Sequence, residues 1–148
     1  MDKGYVFFGT FSIIVSAVVV FLSVYFAHFL SIRRQKISNF NNASKEFSET
    51  IHKELKNVYP HPVNWPTDID EYLRSKHATI QSVVNKFKRY LPVEQREAFD
   101  RAWVAFYNAH SDDREQCYHH YIGYNNNPKF QDNLKNNVGK LLSFAKEI

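Results

Sequence analysis

Apolar residues run almost without interruption from Tyr5 to Ile32, and beyond that point they recur three and four positions apart among charged side chains. The first pattern predicts a helix apolar on every side, the second a set of amphipathic helices each with one stripe to bury. The 28 residues from Tyr5 to Ile32 contain no Asp, Glu, Lys or Arg. At 1.5 Å per residue they make about 42 Å of helix against about 30 Å of hydrocarbon, enough to cross a bilayer with some tilt. A secretory signal would carry its positive charge before the apolar run and small residues at a cleavage site after it. Here Asp2 and Lys3 precede the run and the basic cluster Arg33-Arg34-Gln35-Lys36 follows it, the pattern of an uncleaved anchor.

Downstream, Phe40, Ala43, Phe47, Ile51, Leu55 and Val58 form one stripe of a helix expected over residues 38–58, which the prolines 60, 62 and 66 then end. Thr67 reads as the N-cap of a second helix, with Asp70 in the capping-box position and Asp68 beside the positive helix end. Ile69, Leu73, His77, Ile80, Val84, Phe87 and Leu91 line its face as far as Pro92. A third helix is expected from Val93 to Ala109, carried by Phe99, Ala102, Trp103, Phe106 and Tyr107. Residues 114–124 fit a short helix or a packed loop equally. Asn125-Asn126-Asn127-Pro128 then opens a last helix with an Asn cap and Pro in its first position, and Phe130, Leu134, Val138, Leu141 and Ala145 supply its stripe.

The predicted fold is therefore all-α. A short external N-terminus (1–4) leads into a transmembrane helix (5–32), a basic juxtamembrane segment (33–37) and a cytoplasmic bundle of about four helices (38–148). Each stripe must be buried against the others, and the short connections favour antiparallel packing.

Charge refines this picture. Of 19 Lys and Arg, four (Lys3, Arg33, Arg34, Lys36) flank the span, and of 15 acidic residues only Asp2 does. Residues 37–148 thus hold 15 basic and 14 acidic side chains, a net of +1. The basic surplus belongs to membrane topology, and no nucleic-acid partner is expected. Because Lys and Arg accumulate after the span, the positive-inside rule makes Arg33, Arg34 and Lys36 topology determinants. They place the N-terminus outside and the body of the chain in the cytoplasm, at the inner (plasma) membrane. The lone cysteine, Cys117, allows no intrachain disulfide, as suits a reducing compartment.

Within the span, Gly9, Ser12, Ser16 and Ser23 share a seam of small residues of the kind that lets helix backbones approach. The same phase continues through Ile37, Phe40, Ser44, Phe47, Ile51 and Val58, as a parallel homodimer would require. The alternative is that Phe47 and Ile51 face their own domain's core. Lys86, Lys88, Arg89 and Arg96 gather near the second turn and would suit anionic lipid or an acidic partner, although a solvated helix face explains so few charges as well.

His110, Asp112, Asp113, Glu115, Cys117, His119 and His120 concentrate the chain's possible metal ligands. Zinc sites are built from recognisable pairs or three convergent donors, and neither CxxC nor HExxH occurs. Adjacent His119 and His120 point apart on any regular element. Cys117, His119 and His120 stand as candidate ligands, but no metal or cofactor is expected. With four glycines in the chain there is no phosphate-cradling run, no GxSxG elbow and no other catalytic arrangement.

Several of these residues together resemble a group of uncharacterised bacterial proteins: His77, Val84, Phe87 and Leu91, then Arg96, Phe99, Ala102-Trp103 and Phe106, with Leu141-Leu142-Ser143-Phe144-Ala145-Lys146 at the end. Those proteins have a short N-terminal membrane anchor and a helical body. The resemblance implies a bacterial inner membrane and a helical fold, and it brings no catalytic residue. The expected function is a membrane-tethered protein-interaction or regulatory module, whose partners are the bilayer and another protein or a second copy. The competing expectations are a metal- or Cys-dependent enzyme centred on residues 110–120, and a small effector that permeabilises the bilayer through its span.

Overall fold

The computed structural model describes residues 3–107, 118–122 and 128–146; of residues 3–15 and His119 it describes the backbone alone. Among the described residues the fold is all-helical, with four α-helices and no strand. They are α1 (Lys3–Glu54), α2 (Ile69–Lys88), α3 (Val93–Tyr107) and α4 (Pro128–Leu142), with short 3-10 turns at His119–Tyr121 and Ser143–Ala145. The chain divides into two compact units, Met1–Ser38 and Asn39–Ile148.

The first unit is the apolar part of α1. Its described large apolar side chains are exposed through the apolar run, from Ile32 at 40% to Phe21 at 78%. Among the described residues one helix is long and apolar enough to cross a membrane, and none of its apolar window is buried in protein. A core helix would show the reverse. Ser23 satisfies its own hydroxyl by donating to the Val19 carbonyl at 2.8 Å.

The second unit is a helical bundle. The C-terminal part of α1 and α2 run antiparallel: the Phe87 ring meets Phe40 at 5.8 Å and stacks on Phe47 at 4.7 Å, while the Tyr72 hydroxyl donates to the Glu54 carbonyl at 2.7 Å. Helix α3 returns beside α2, with Phe99 edge-on to Phe87 at 5.6 Å. Helix α4 packs against α3, and Phe144 just beyond it meets Phe99 at 5.3 Å. Phe40, Phe47, Ile51, Leu73, Ile80, Phe99, Leu134 and Val138 are all buried, so the stripes found by spacing are the core. Val83 joins them, whereas Tyr107, Phe130 and Ala145 are only half-buried.

Two element ends differ from the sequence pattern. Helix α1 stops at Glu54 rather than residue 58, because the Leu55 carbonyl accepts the N–H groups of Val58 at 2.9 Å and Tyr59 at 2.8 Å. That tight closure precedes Pro60, which has no N–H to continue a helix; Leu55 and Val58 stay buried regardless. The cap of α2 is Asp68, not Thr67: its backbone is extended and its carboxylate accepts from the Glu71 N–H at 2.9 Å. A carboxylate there satisfies an orphan donor and complements the helix dipole together, which a threonine hydroxyl cannot. Asp70 turns to Arg74 at 2.8 Å instead of completing a capping box.

Ser44 is 1% exposed, and its hydroxyl finds no hydrogen-bond partner among the described residues. A buried hydroxyl left unpaired is a net cost. Ser44→Ala is therefore expected to stabilise the domain by about 1 kcal/mol, read as a higher urea midpoint of the full chain in detergent.

Candidate functional site

The largest fully buried side chains in the domain, Tyr118 and Tyr121, come from the stretch whose structure the sequence left open. Each is fastened by a polar contact to a distant helix. His77 of α2 lies 2.8 Å through Nδ1 from the Tyr118 hydroxyl, across 41 positions of sequence. Its ring stacks on Trp103 at 5.6 Å and meets Tyr107 at 5.6 Å and Tyr118 at 5.8 Å edge-on. The Tyr121 hydroxyl accepts from Asn137 Nδ2 at 2.8 Å, and the same amide donates to the Ala105 carbonyl at 3.2 Å. Residues 118–121 are thereby tied to α2, α3 and α4 together.

Tyr118 adopts φ 69°, in the left-handed region where a side chain with Cβ is uncommon. Its N–H donates to the Tyr107 carbonyl at 2.8 Å, and the rings of Phe106 and His77 pack against it, which holds that conformation. Burial pushes the Tyr121 phenol well above its ordinary range, so it stays neutral. Burial also lowers the His77 pKa, favouring the neutral imidazole.

A neutral imidazole can take or give one proton across the bond to Tyr118, whereas an imidazolium can only donate. With His77 depressed in the folded chain, the unfolded chain binds the extra proton first. This contribution to stability is present above the ordinary histidine value and is lost as pH falls through it and then through the lower folded value. His77→Gln keeps a hydrogen-bonding group without the titration. The difference in unfolding free energy between the parent chain and His77→Gln is expected to shrink on acidification from neutrality, as read by urea titrations at several pH values.

The candidates read from sequence fall into separate places. Arg33, Arg34 and Lys36 are exposed on α1. Ser16 and Ser23 are exposed on the apolar helix, while of Gly9 and Ser12 only the backbone is described. The downstream half of the proposed seam is corrected: Phe40, Ser44, Phe47, Ile51 and Val58 are buried within their own domain. Those side chains cannot serve a second chain and the core at once.

Of the metal-ligand candidates, Cys117, like residues 110–115, lies outside the described residues, as does the side chain of His119. The His120 ring packs on Tyr121 at 3.9 Å. Among the described residues no group of three or more His, Cys, Asp or Glu is placed to hold a metal ion. Three of the four basic residues near the second turn have partners within the domain, and Arg89 is exposed. Lys86 pairs with Glu46 at 2.6 Å, Lys88 pairs with Asp100 at 2.6 Å, and Arg96 donates to the carbonyls of Leu91 at 3.1 Å and Arg89 at 3.2 Å.

The His77 cluster was not legible in sequence beyond the helical stripe that includes His77, because its partner Tyr118 lies in a segment without periodicity. Chemically it is a fastening with one proton-sensitive contact. No protein-family model, curated protein or solved structure matches the chain.

Proposed function

We propose that this is a single-pass membrane protein, N-terminus outside, whose helical domain is held at the cytoplasmic face as a protein-interaction module. The observation that carries the reading is the exposed apolar helix followed directly by exposed Arg33, Arg34 and Lys36 and then by a folded unit. An apolar surface of that length requires a cover, and a bilayer supplies it. The basic residues after it favour the cytoplasmic side. The domain's core is closed by its own aromatic rings, and what it offers to partners is its surface.

The mechanism is confinement. A tethered domain meets other membrane-associated proteins at an effective concentration far above its bulk value, so modest intrinsic affinity suffices. The test is cross-linking and co-purification from native membranes with three chains: the full chain, one in which an unrelated spanning helix replaces residues 5–32, and one lacking residues 1–36. The same specific protein is expected with the first two and a large loss with the third. Recovery of only bulk abundant proteins, or a requirement for the native span, would contradict the reading.

A further inference from the structure

The turn between α2 and α3 holds apolar side chains outward at a particular end of the domain. Antiparallel packing of α1 and α2 puts this turn beside Phe40, whose ring lies 5.8 Å from Phe87. Phe40 is also the first buried residue of the second unit. Seven residues, 33–39, separate it from Ile32, the last residue of the apolar run. Such a tether reaches about 25 Å at most when extended and about 10 Å as helix. The Phe40 end is therefore the end of the domain that the chain keeps near a bilayer.

The turn itself is fixed. Leu91 is 2% exposed and anchors it inward, while the Arg96 guanidinium ties the carbonyls of Arg89 and Leu91, and the Tyr90 N–H donates to Phe87 at 2.9 Å. Around that frame Tyr90 is 42% exposed, Val93 is 74% exposed and Pro92 is exposed between them. Arg89 is exposed beside Tyr90, and Lys146 is exposed just after Phe144, which packs on Phe99 near the same end. Glu94 is an exposed acidic residue that opposes them, while the exposed Glu97 pairs with Arg101. An amphipathic tyrosine, an aliphatic side chain and a guanidinium are the set that settles at head-group level.

We propose that the turn from Arg89 to Val93 docks on the anionic head-group surface of the bilayer and holds the domain against the membrane by its Phe40 end. The inference rests on the anchoring reading above. A contact this small is too weak to recruit a free domain. The short tether holds the turn near the surface at an effective concentration on the order of millimolar, so a weak contact is populated.

The test uses the full chain with Cys117→Ser, carrying either Val93→Cys or Val63→Cys labelled with a polarity-sensitive fluorophore. Val63 is 77% exposed and precedes the 20-residue α2, so it stands at the other end of the domain. In vesicles of phosphatidylcholine with phosphatidylglycerol, the label at 93 is expected to shift to the blue and to lose most of its quenching by iodide, while the label at 63 stays aqueous. Adding Arg89→Glu and Tyr90→Ser is expected to restore quenching at 93, as is omitting phosphatidylglycerol. Equal quenching at 93 and 63 in a chain that resists alkaline carbonate extraction overturns the docking and leaves the anchor intact. Shielding at 93 that vanishes when the protein is diluted with lipid assigns the turn to a second copy and also overturns it. Extraction of the chain by carbonate removes the anchor, and the docking with it.

Discussion

Replacing Phe47 by alanine is expected to cost the domain about 3–5 kcal/mol, the usual range for deleting a fully buried phenylalanine. The site has little room to relax. Phe47 is 0% exposed, its ring stacks on Phe87 at 4.7 Å with an interplanar angle of 9°, and Phe99 meets it edge-on at 5.9 Å. One side chain thus joins α1, α2 and α3, and its loss leaves a cavity lined from all three. Domains of this size are stable by only about 5–15 kcal/mol, so the change removes a large share of the total. Urea unfolding of the full chain in detergent, followed by tryptophan emission, should show a much lower midpoint for Phe47→Ala. Val104→Ala, at a position 44% exposed on α3, should fall within about 0.5 kcal/mol of the parent. Matching shifts for the two would mean that the aromatic stack is not what holds the helices together.

The largest effect on the first unit is expected from Val19→Arg combined with Leu22→Arg. Each arginine at the centre of a spanning helix costs about 2.5–3.5 kcal/mol on insertion scales. The pair also divides the apolar run into Tyr5–Val18 and Ser23–Ile32, 14 and 10 residues long. Neither piece reaches the roughly 20 residues that cross a bilayer. The double variant is expected to move from the carbonate-resistant membrane fraction to the soluble fraction or to aggregates. Val63→Arg with Val104→Arg adds the same charge at exposed positions of the domain and should leave the fractionation unchanged. Retention of the double variant in the membrane would place the membrane contact elsewhere in the chain.

What the sequence made legible is what periodicity carries. The stripes through Phe40, Phe47 and Ile51, through Leu73, Ile80 and Phe87, and through Leu134 and Val138 were visible because helical spacing puts their members on one face. Helix boundaries were less so. Asp68 and Thr67 both have cap chemistry, and only the backbone conformation at 68 decides between them. Periodicity also could not say which chain a stripe serves. Residues 40–58 fit a dimer seam and a domain core equally by spacing, and the antiparallel return of α2 onto Phe40 and Phe47 selects the core.

Tyr118 and Tyr121 illustrate the other limit. They follow no helical repeat, so spacing alone assigns them to no buried face. Their burial depends on His77 and Asn137, contributed by helices 41 and 16 positions away. The basic residues after α2 show the same dependence on tertiary context: Glu46 and Asp100, distant in sequence, pair with Lys86 and Lys88 and leave Arg89 to face outward.

The central claim, one span with the domain on the cytoplasmic side, is tested most directly by a single reporter cysteine. The chain with Cys117→Ser and Val63→Cys is exposed to a membrane-impermeant maleimide in intact expressing cells and in inverted membrane vesicles, with carbonate extraction run in parallel. Val63, 77% exposed in the loop before α2, is expected to label in inverted vesicles, to stay unlabelled in intact cells, and to remain with the carbonate-resistant membranes. Labelling in intact cells, or release of the chain by carbonate, would contradict the account.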